Sequence, residues 1–340
     1  MGFRCAFLGC GPRATGHAEA YAHITRGEPV AACDLDEGRL AAFADRYGIP
    51  GRYTNLDEML DREKPDVVHM VTQPTLRVGL MTHLADAGVP GVIVEKPICI
   101  GGDDYAELKA LAARSRTRFA TNHQLRFHPR VLEYLDDIRS GAIGEVRHID
   151  ASAVYPMAGQ GTHILNLLLA FNGYARCKTV FGVASGYDDI NSFHPGPKAA
   201  QMLLTFENGT RASLQTGPGS PQFVEGPDWA HKRIAIYGTK GIRHWWMYGW
   251  ERTRADGSLE RGEQDYAAQD VLGQAGLTNA MFDWIEDDAK VHPNSLEWSL
   301  YEWLIVLGCY LSTVEARAVD LPFDPPGDLL ARLKRFVGAA

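Results

Sequence analysis

Three short stretches carry side chains that can do chemistry. In "VIVEKPIC" (92–99) an apolar run ends on Glu95 and Lys96, with Pro97 directly after. An ammonium group held there can hydrogen-bond a substrate oxygen and stabilise the charge developing on it. The alternative is a surface lysine at a strand end. "GQGTHILNLL" (159–168) sets His163 at the head of an apolar, helix-periodic run, shortly after Gly159 and Gly161. Imidazole is the side chain best suited to exchange a proton near neutral pH; the other reading is a helix-entry histidine without chemistry. "FLGCGPRA" (7–14) gives Gly9, Gly11 and Ala14 the spacing G-x-G-x-x-A. Gly9 permits a tight turn, Gly11 lets the backbone approach a pyrophosphate, and Ala14 lets a helix pack closely on its strand. Asp34 follows at the end of the next apolar run. A carboxylate there accepts hydrogen bonds from a ribose and repels a 2′-phosphate, which favours NAD over NADP; it could also simply cap the next helix. Arg39, one helical turn on, complicates that choice of cofactor.

The elements that must position these groups alternate regularly. Strands are expected at 4–9, 29–34, 66–72, 91–97 and 118–123, with helices at 13–27, 37–48, 56–62, 77–88 and 104–115. The strands are continuous apolar runs, as in a parallel sheet covered by helices on both faces. Repeated strand–helix–strand units imply a doubly wound Rossmann sheet, whose ligands lie at the carboxyl ends of the strands. Gly9, Asp34 and Lys96 all stand at such ends.

The pattern then changes. A helix at 129–141 closes on Gly141, and strand signals dominate from 146 to about 254, including a hairpin with Asn208-Gly209 at its turn. Helical periodicity returns at 277–290, 295–317 and 327–336. The expected architecture is α/β plus α+β: a Rossmann domain over residues 1–124, then a domain over 125–340 with an open, mostly antiparallel sheet and helices.

Composition narrows the function. With 45% hydrophobic and 22% charged residues the chain is globular, and a net charge of −8 with scattered basic residues argues against a nucleic-acid partner. No secretory leader and no membrane-spanning run is read, so no membrane partner is expected. The six cysteines form no C-x-x-C pair and sit mostly in apolar runs, as free thiols of a reducing cytoplasm do; no metal site is expected.

The glycine loop, Thr72-Gln73-Pro74, Glu95-Lys96-Pro97 and the stretch "LRFHPRVLEYLDDIRSGAIGEV" (125–146) resemble the glucose–fructose oxidoreductase/inositol dehydrogenase (Gfo/Idh/MocA) family over essentially the whole chain. The resemblance implies NAD(P)-dependent oxidation or reduction of sugars, cyclitols and related polyols. It also implies a C-terminal sheet that makes homodimer or homotetramer contacts. By position, Gly9, Gly11, Pro12, Arg13 and Ala14 would hold the pyrophosphate and Asp34 the ribose. Thr72, Gln73 and Pro74 would line the nicotinamide side, closed by Glu95 and Lys96. Arg77 stands where the family often has a histidine, and Arg126 matches its arginine before the linking helix.

The family's second motif is Asp-x-x-x-His at the head of a helix, the histidine being the acid/base. His163 matches it; Gly159 occupies the aspartate position, and Asn166 stands where a further aspartate is frequent. In an amphipathic helix Leu165, Leu168 and Leu169 would face a core, with His163 projecting from a first turn whose dipole disfavours imidazolium. Tyr155, Met157 and Gln160 are candidates for the substrate wall. Asp188, Asp189, His194 and His231 are expected in loops, and "HWWMYGW" (244–250) in core or interface. The expected reaction is hydride transfer between NAD and a secondary alcohol or ketone, with Lys96 polarising the oxygen and His163 exchanging its proton. The alternatives are a dinucleotide- and sugar-binding regulator with degraded catalysis, and a transient-redox lyase or epimerase that accumulates no NADH.

Overall fold

The computed structural model describes residues 2–188, 194–222 and 224–338. By its contacts the chain divides into two compact units. One comprises Met1–Cys99, Glu107–Phe127 and Asp270–Ser299; the other comprises Ile100–Ala106, His128–Gln269 and Leu300–Ala340. A single division at residue 124 assigns 270–299 to the second domain, but that segment packs with the first unit. The ring of Phe282 stacks on Phe3 with centroids 4.3 Å apart, and Arg26 Nη1 donates to Asp283 Oδ1 at 2.6 Å.

The sheet of the first unit consists of β1 (Phe3–Leu8), β2 (Gly27–Cys33), β3 (Gly51–Tyr53), β4 (Val67–Met70), β5 (Gly91–Val94) and β6 (Arg118–Thr121). These strands lie in the order β3-β2-β1-β4-β5-β6, and every pairing is parallel. This is the doubly wound arrangement, in which the chain reverses direction across the sheet between β1 and β4. The helices are α1 (Pro12–Glu19), α2 (Glu37–Tyr47), α3 (Leu56–Glu63), α4 (Arg77–Asp86) and α5 (Gly102–Arg114), of which Gly102–Ala106 belong to the second unit. The helix expected over 13–27 ends early, at Glu19, and a 3-10 turn at Ala20–His23 leads to β2. With only three residues, β3 is too short to show a pattern of its own. One core cluster gathers Phe7, Phe43, Ala44 and Ile49; another places Met281 and Phe282 against Val67 and Ile93.

The second unit holds α6 (Pro129–Arg139), β7 (Val146–Ala153), α7 (Thr162–Phe171), β8 (Cys177–Asp188), β9 (Gly196–Phe206), β10 (Arg211–Thr216), β11 (Lys232–Gly238), β12 (Gly241–Trp246), β13 (Gly249–Thr253) and β14 (Leu259–Glu263). Helix α8 (Tyr266–Glu286) begins in this unit and ends in the first, whereas α9 (Leu296–Glu315) runs the other way; β15 (Val319–Asp320) and α10 (Leu329–Val337) complete it. Among the described residues its sheet has the order β14-β13-β12-β11-β7-β10-β9-β8-β15, antiparallel except for β7 with β10. Strand β9 shows the reason for this placement: Met202, Leu204 and Phe206 are buried while Gln201, Leu203 and Thr205 face outward, the period of a sheet covered on one face. Gly209 closes the expected hairpin with φ +85°. Strands β14 and β15 were not anticipated. Among the described residues no helix is long and apolar enough to cross a membrane.

Candidate active site

The glycine loop and Asp34 form one local structure. Gly9 has φ +93°, and a Cβ there would lie 2.4 Å from the carbonyl oxygen of Val71, so glycine is needed where β1 and β4 run out side by side. Gly11 caps α1 with extended backbone, and a Cβ there would meet nothing within 4 Å. Pro12 takes the first helical position and Ala14 is fully buried. Asp34 directly follows β2 with its carboxylate already held: Oδ2 accepts from the Cys10 amide at 2.8 Å, and Oδ1 from the Asp36 amide and Arg39 Nη2, both at 2.9 Å. Burial works to raise its pKa, but Arg39 and the two amides bring it below the ordinary aspartate value. The helix-cap alternative belongs to Asp36 instead, whose Oδ1 accepts from the Arg39 amide at 2.9 Å. Open space at Gly11, the uncapped start of α1 and the ionised Asp34 carboxylate fit a dinucleotide. Thr72 Oγ1, buried just past β4 with no hydrogen-bonding partner among the described residues, fits as a contact for its nicotinamide end.

Past β5, Glu95 is the centre of a buried polar chain. Its Oε1 accepts from Arg13 Nε at 3.0 Å, His17 Nε2 at 2.9 Å and Asn122 Nδ2 at 2.7 Å. His17 Nδ1 lies 3.0 Å from His69 Nδ1, and His69 Nε2 lies 2.8 Å from the Tyr21 hydroxyl. A carboxylate only accepts, so His17 carries its hydrogen on Nε2 and accepts at Nδ1. His69 must then donate from Nδ1 and accept the Tyr21 hydroxyl at Nε2. Burial lowers the pKa of both histidines, against the pull of Glu95 on His17, which keeps them in these neutral tautomers. Burial alone would raise Glu95, but Arg13, His17 and Lys96 hold it well below the usual carboxylate range.

Lys96 follows Glu95 and its peptide bond to Pro97 is cis. Desolvation brings its pKa down to about 8, with Glu95 opposing and Arg13 and Arg77 reinforcing the fall. Gln73 is exposed and Pro74 buried in the 3-10 turn before α4. Arg77, the first residue of α4, is completely buried, and burial lowers it to about 10. Arg126 is buried in the turn Gln124–Phe127, where its charge adds to the burial that holds His292 at about 4.

His163 belongs to the second unit. A π-turn, Met157–Gly161, runs directly into α7, with the amides of Gly159, Gln160 and Gly161 all donating to the Pro156 carbonyl. The helix therefore starts at Met157, and His163 is not in its first turn. The dipole argument for a neutral imidazole falls away, because that field fades within one turn. Nor is α7 amphipathic: every residue from Thr162 to Phe171 is buried, His163 included. Asn166 Nδ2 donates to Glu302 Oε2 of α9 at 3.1 Å. A Cβ at Gly159 would meet nothing nearer than Tyr155 Cβ at 3.8 Å, so the missing carboxylate is not excluded by space. Tyr155 is exposed beyond the end of β7, and Met157 is buried. Gln160 Oε1 accepts from Nζ of Lys232, a buried lysine, at 3.0 Å. His231 Nε2 donates to the Gly226 carbonyl at 3.2 Å, and His194 is half-buried. Asp188 ends β8, and Asp189 lies outside the described residues. In the "HWWMYGW" stretch Trp245 and Met247 are core. Among the described residues no cluster of His, Cys, Asp and Glu is arranged to hold a metal.

Residues 3–123 match the oxidoreductase family with an NAD-binding Rossmann fold (GFO_IDH_MocA). The match covers the Rossmann segment of the chain. That segment is an NAD-binding Rossmann domain, and relatives that cover the chain are named dehydrogenases. The chain is 26% identical over 352 residues to the D-apiose dehydrogenase of Paraburkholderia graminis, covering 94% of this chain and 90% of that protein. Its fold matches an Agrobacterium radiobacter oxidoreductase solved with NAD+, L-tartaric acid and magnesium (TM-score 0.80, 20% identity, 94% of this chain and 98% of that one). It also matches levoglucosan dehydrogenase in complex with NADH (TM-score 0.79, 16% identity, 95% and 100%).

His17, His69, Asn122 and Lys232 escaped the reading of the sequence, although two of them left a trace. His69 interrupts the apolar strand "VVHM", and Lys232 stands in the inward row of β11 with Ile234 and Ile236. A polar group in such a place must find partners.

Proposed function

We propose that this enzyme transfers hydride between NAD and a secondary alcohol or ketone of a sugar, sugar derivative or cyclitol. The observation that carries this reading is the Glu95–Lys96 corner, where a carboxylate fixed by three donors stands beside a lysine whose pKa of about 8 keeps it largely protonated at neutral pH. Bound NAD accepts or returns the hydride. Lys96 donates to the reacting oxygen and stabilises the charge that develops on it. His163 takes the hydroxyl proton in oxidation and returns it in reduction, an assistance of about 10²–10⁴ in rate.

Gly9, Gly11, Pro12, Arg13 and Ala14 seat the pyrophosphate, Asp34 the ribose, and Thr72, Gln73 and Pro74 the nicotinamide side. Leu35, 89% exposed beside Asp34, offers an apolar surface to the adenine. The Asp34 carboxylate favours NAD over NADP. Arg126, Tyr155 and Gln160 line the substrate. A small sugar-like substrate agrees with the names of D-apiose dehydrogenase and levoglucosan dehydrogenase. The outward face of the second sheet, where Phe181 lies opposite Leu203 and beside Val183, all exposed, supports a homodimer or homotetramer. Six free, buried cysteines support a cytoplasmic setting.

The test is a sugar and cyclitol screen following NADH absorbance, with product analysis alongside, on wild type, Lys96→Ala and His163→Ala. Each variant should lose turnover while retaining NAD binding; full activity in His163→Ala removes the base assignment. Gly159 favours one competing reading, a binding protein with degraded catalysis. Tight NAD binding without conversion of any compound in the screen would support it. Product without net NADH would support a transient-redox lyase or epimerase.

A further inference from the structure

Arg77 is completely buried, and none of Nε, Nη1 or Nη2 has a hydrogen-bonding partner among the described residues. A guanidinium carries five donors, and burying it unsatisfied is heavily penalised. Packing does not account for it, since an apolar side chain of similar length would fill the same space without that penalty. Its place is specific: it opens α4, directly after the Thr72–Pro74 segment that leaves β4. The preceding Leu76 supplies no side-chain cap. The groups that act on Arg77 electrostatically, Glu95 and Cys99, both belong to the segment after β5, and Arg77 in turn acts on Lys96. Glu95 is not its hydrogen-bonding partner, since none of the three guanidinium nitrogens has one among the described residues. Arg77 and Lys96 thus both follow the carboxyl ends of neighbouring strands, β4 and β5.

We propose that Arg77 binds a carboxylate of the substrate, making the substrate class a sugar acid. The inference rests on the oxidoreductase reading and narrows its substrate. The planar fork of arginine matches a carboxylate with two parallel hydrogen bonds, which a neutral hydroxyl cannot supply. The cofactor pyrophosphate is the other anion at this sheet edge. Its seat is the loop after β1, and the groups coupled to Arg77 lie after β5, which favours the substrate as the source.

The experiment compares wild type, Arg77→Met and Arg77→Lys. The first measurement needs no turnover: thermal unfolding with and without NAD, in the presence of D-gluconate, D-glucuronate or D-galactarate. The neutral counterparts D-glucitol, methyl D-glucuronate and galactitol serve as controls. Wild type with NAD should be stabilised by at least one acid and not by its counterpart. Arg77→Met should lose that shift, keep the NAD-induced shift and, without ligands, melt no lower than wild type. Arg77→Lys should retain part of the acid-dependent shift. For an acid that is turned over, KM should rise roughly ten- to a hundredfold in Arg77→Met, the span expected for a lost hydrogen bond to a charged group.

A fall in NAD affinity in Arg77→Met would assign the guanidinium to the pyrophosphate and overturn the proposal. So would equal responses of wild type to acids and neutral counterparts, no response to any acid, or a ligand-free Arg77→Met that melts below wild type. If no compound is oxidised but the acid-dependent shift is present and needs Arg77, the carboxylate site stands while the proposed reaction fails.

Discussion

The chain Tyr21–His69–His17–Glu95 makes a quantitative prediction. Replacing His17 by leucine removes one of the three donors to Glu95 and leaves the Nδ1 hydrogen of His69 without an acceptor. Losing a hydrogen bond to a charged group costs about 1.5–3 kcal/mol, and a buried orphaned donor costs about 1–3 kcal/mol. The buried leucine recovers about 1.5–3 kcal/mol through its apolar surface, so His17→Leu should destabilise the protein by about 1–3 kcal/mol. His69→Phe acts on the same chain from the other side. It retains a ring that can stack on Phe7, whose centroid lies 4.9 Å from that of His69, but it leaves the Tyr21 hydroxyl and His17 Nδ1 without their partner. In the double variant His17→Leu/His69→Phe, the orphan between the two rings is gone. The double loss should fall short of the sum of the single losses by about 1–2 kcal/mol. Equilibrium urea unfolding of the four proteins, followed by tryptophan fluorescence, closes the cycle. Additivity within ~0.5 kcal/mol, or a loss below ~1 kcal/mol for His17→Leu, would refute the directed chain of tautomers on which the estimate rests.

Further expectations concern acid, cofactor choice and Gly159. His292 is neutral in the fold, with Nε2 donating to the Leu277 carbonyl at 3.1 Å and Nδ1 accepting the Asn294 amide at 3.0 Å. Burial holds it at about 4 against an ordinary 6.5, so the unfolded chain takes up a proton first as pH falls. Its contribution is complete above about pH 6.5 and is lost towards pH 4, about 3 kcal/mol in all. His17 and His69 are lowered in the same sense; urea unfolding at pH 7, 6 and 5 should show stability falling steadily, and a flat profile would contradict the buried neutral state. Asp34→Ser frees Arg39, whose side chain is 54% exposed, to meet a 2′-phosphate; the ratio of kcat/KM for NAD over NADP should drop by roughly ten- to a hundredfold, and an unchanged ratio would remove Asp34 as the discriminator. Gly159→Asp should fold and lose no more than ~1 kcal/mol, since the site has room and glycine is itself a poor helix former; a larger loss by urea unfolding would show that the fold excludes a side chain there.

What could be read in the sequence was local. The turn from Gly9 to Ala14, Asp34 just after β2 and the corner at Glu95–Lys96 each lie within a few residues, so spacing alone was enough to find them. The partners of Glu95 were another matter. Arg13, His17 and Asn122 come from α1 and the end of β6, and only the strand order β1-β4-β5-β6 brings them to one carboxylate. Hydrophobic period identifies strands but carries no record of which strand lies beside which. The same limit explains why Asp270–Ser299 was given to the wrong half: periodicity marks a helix without saying which sheet it covers. The expected helix start just before His163 differs for another reason. The helix period in the sequence begins only after Gly159 and Gly161, whereas the chain winds through both in a π-turn that Pro156 begins. The signals passed over were polar residues inside apolar patterns, His69 within β4 and Lys232 in the inward row of β11. Each interrupts an otherwise unbroken apolar row, and a buried donor without an acceptor is too costly to stand there by accident. Such an interruption therefore implies a partner distant in the chain, and by the same logic Arg77, which has no such partner among the described residues, points to one outside the protein.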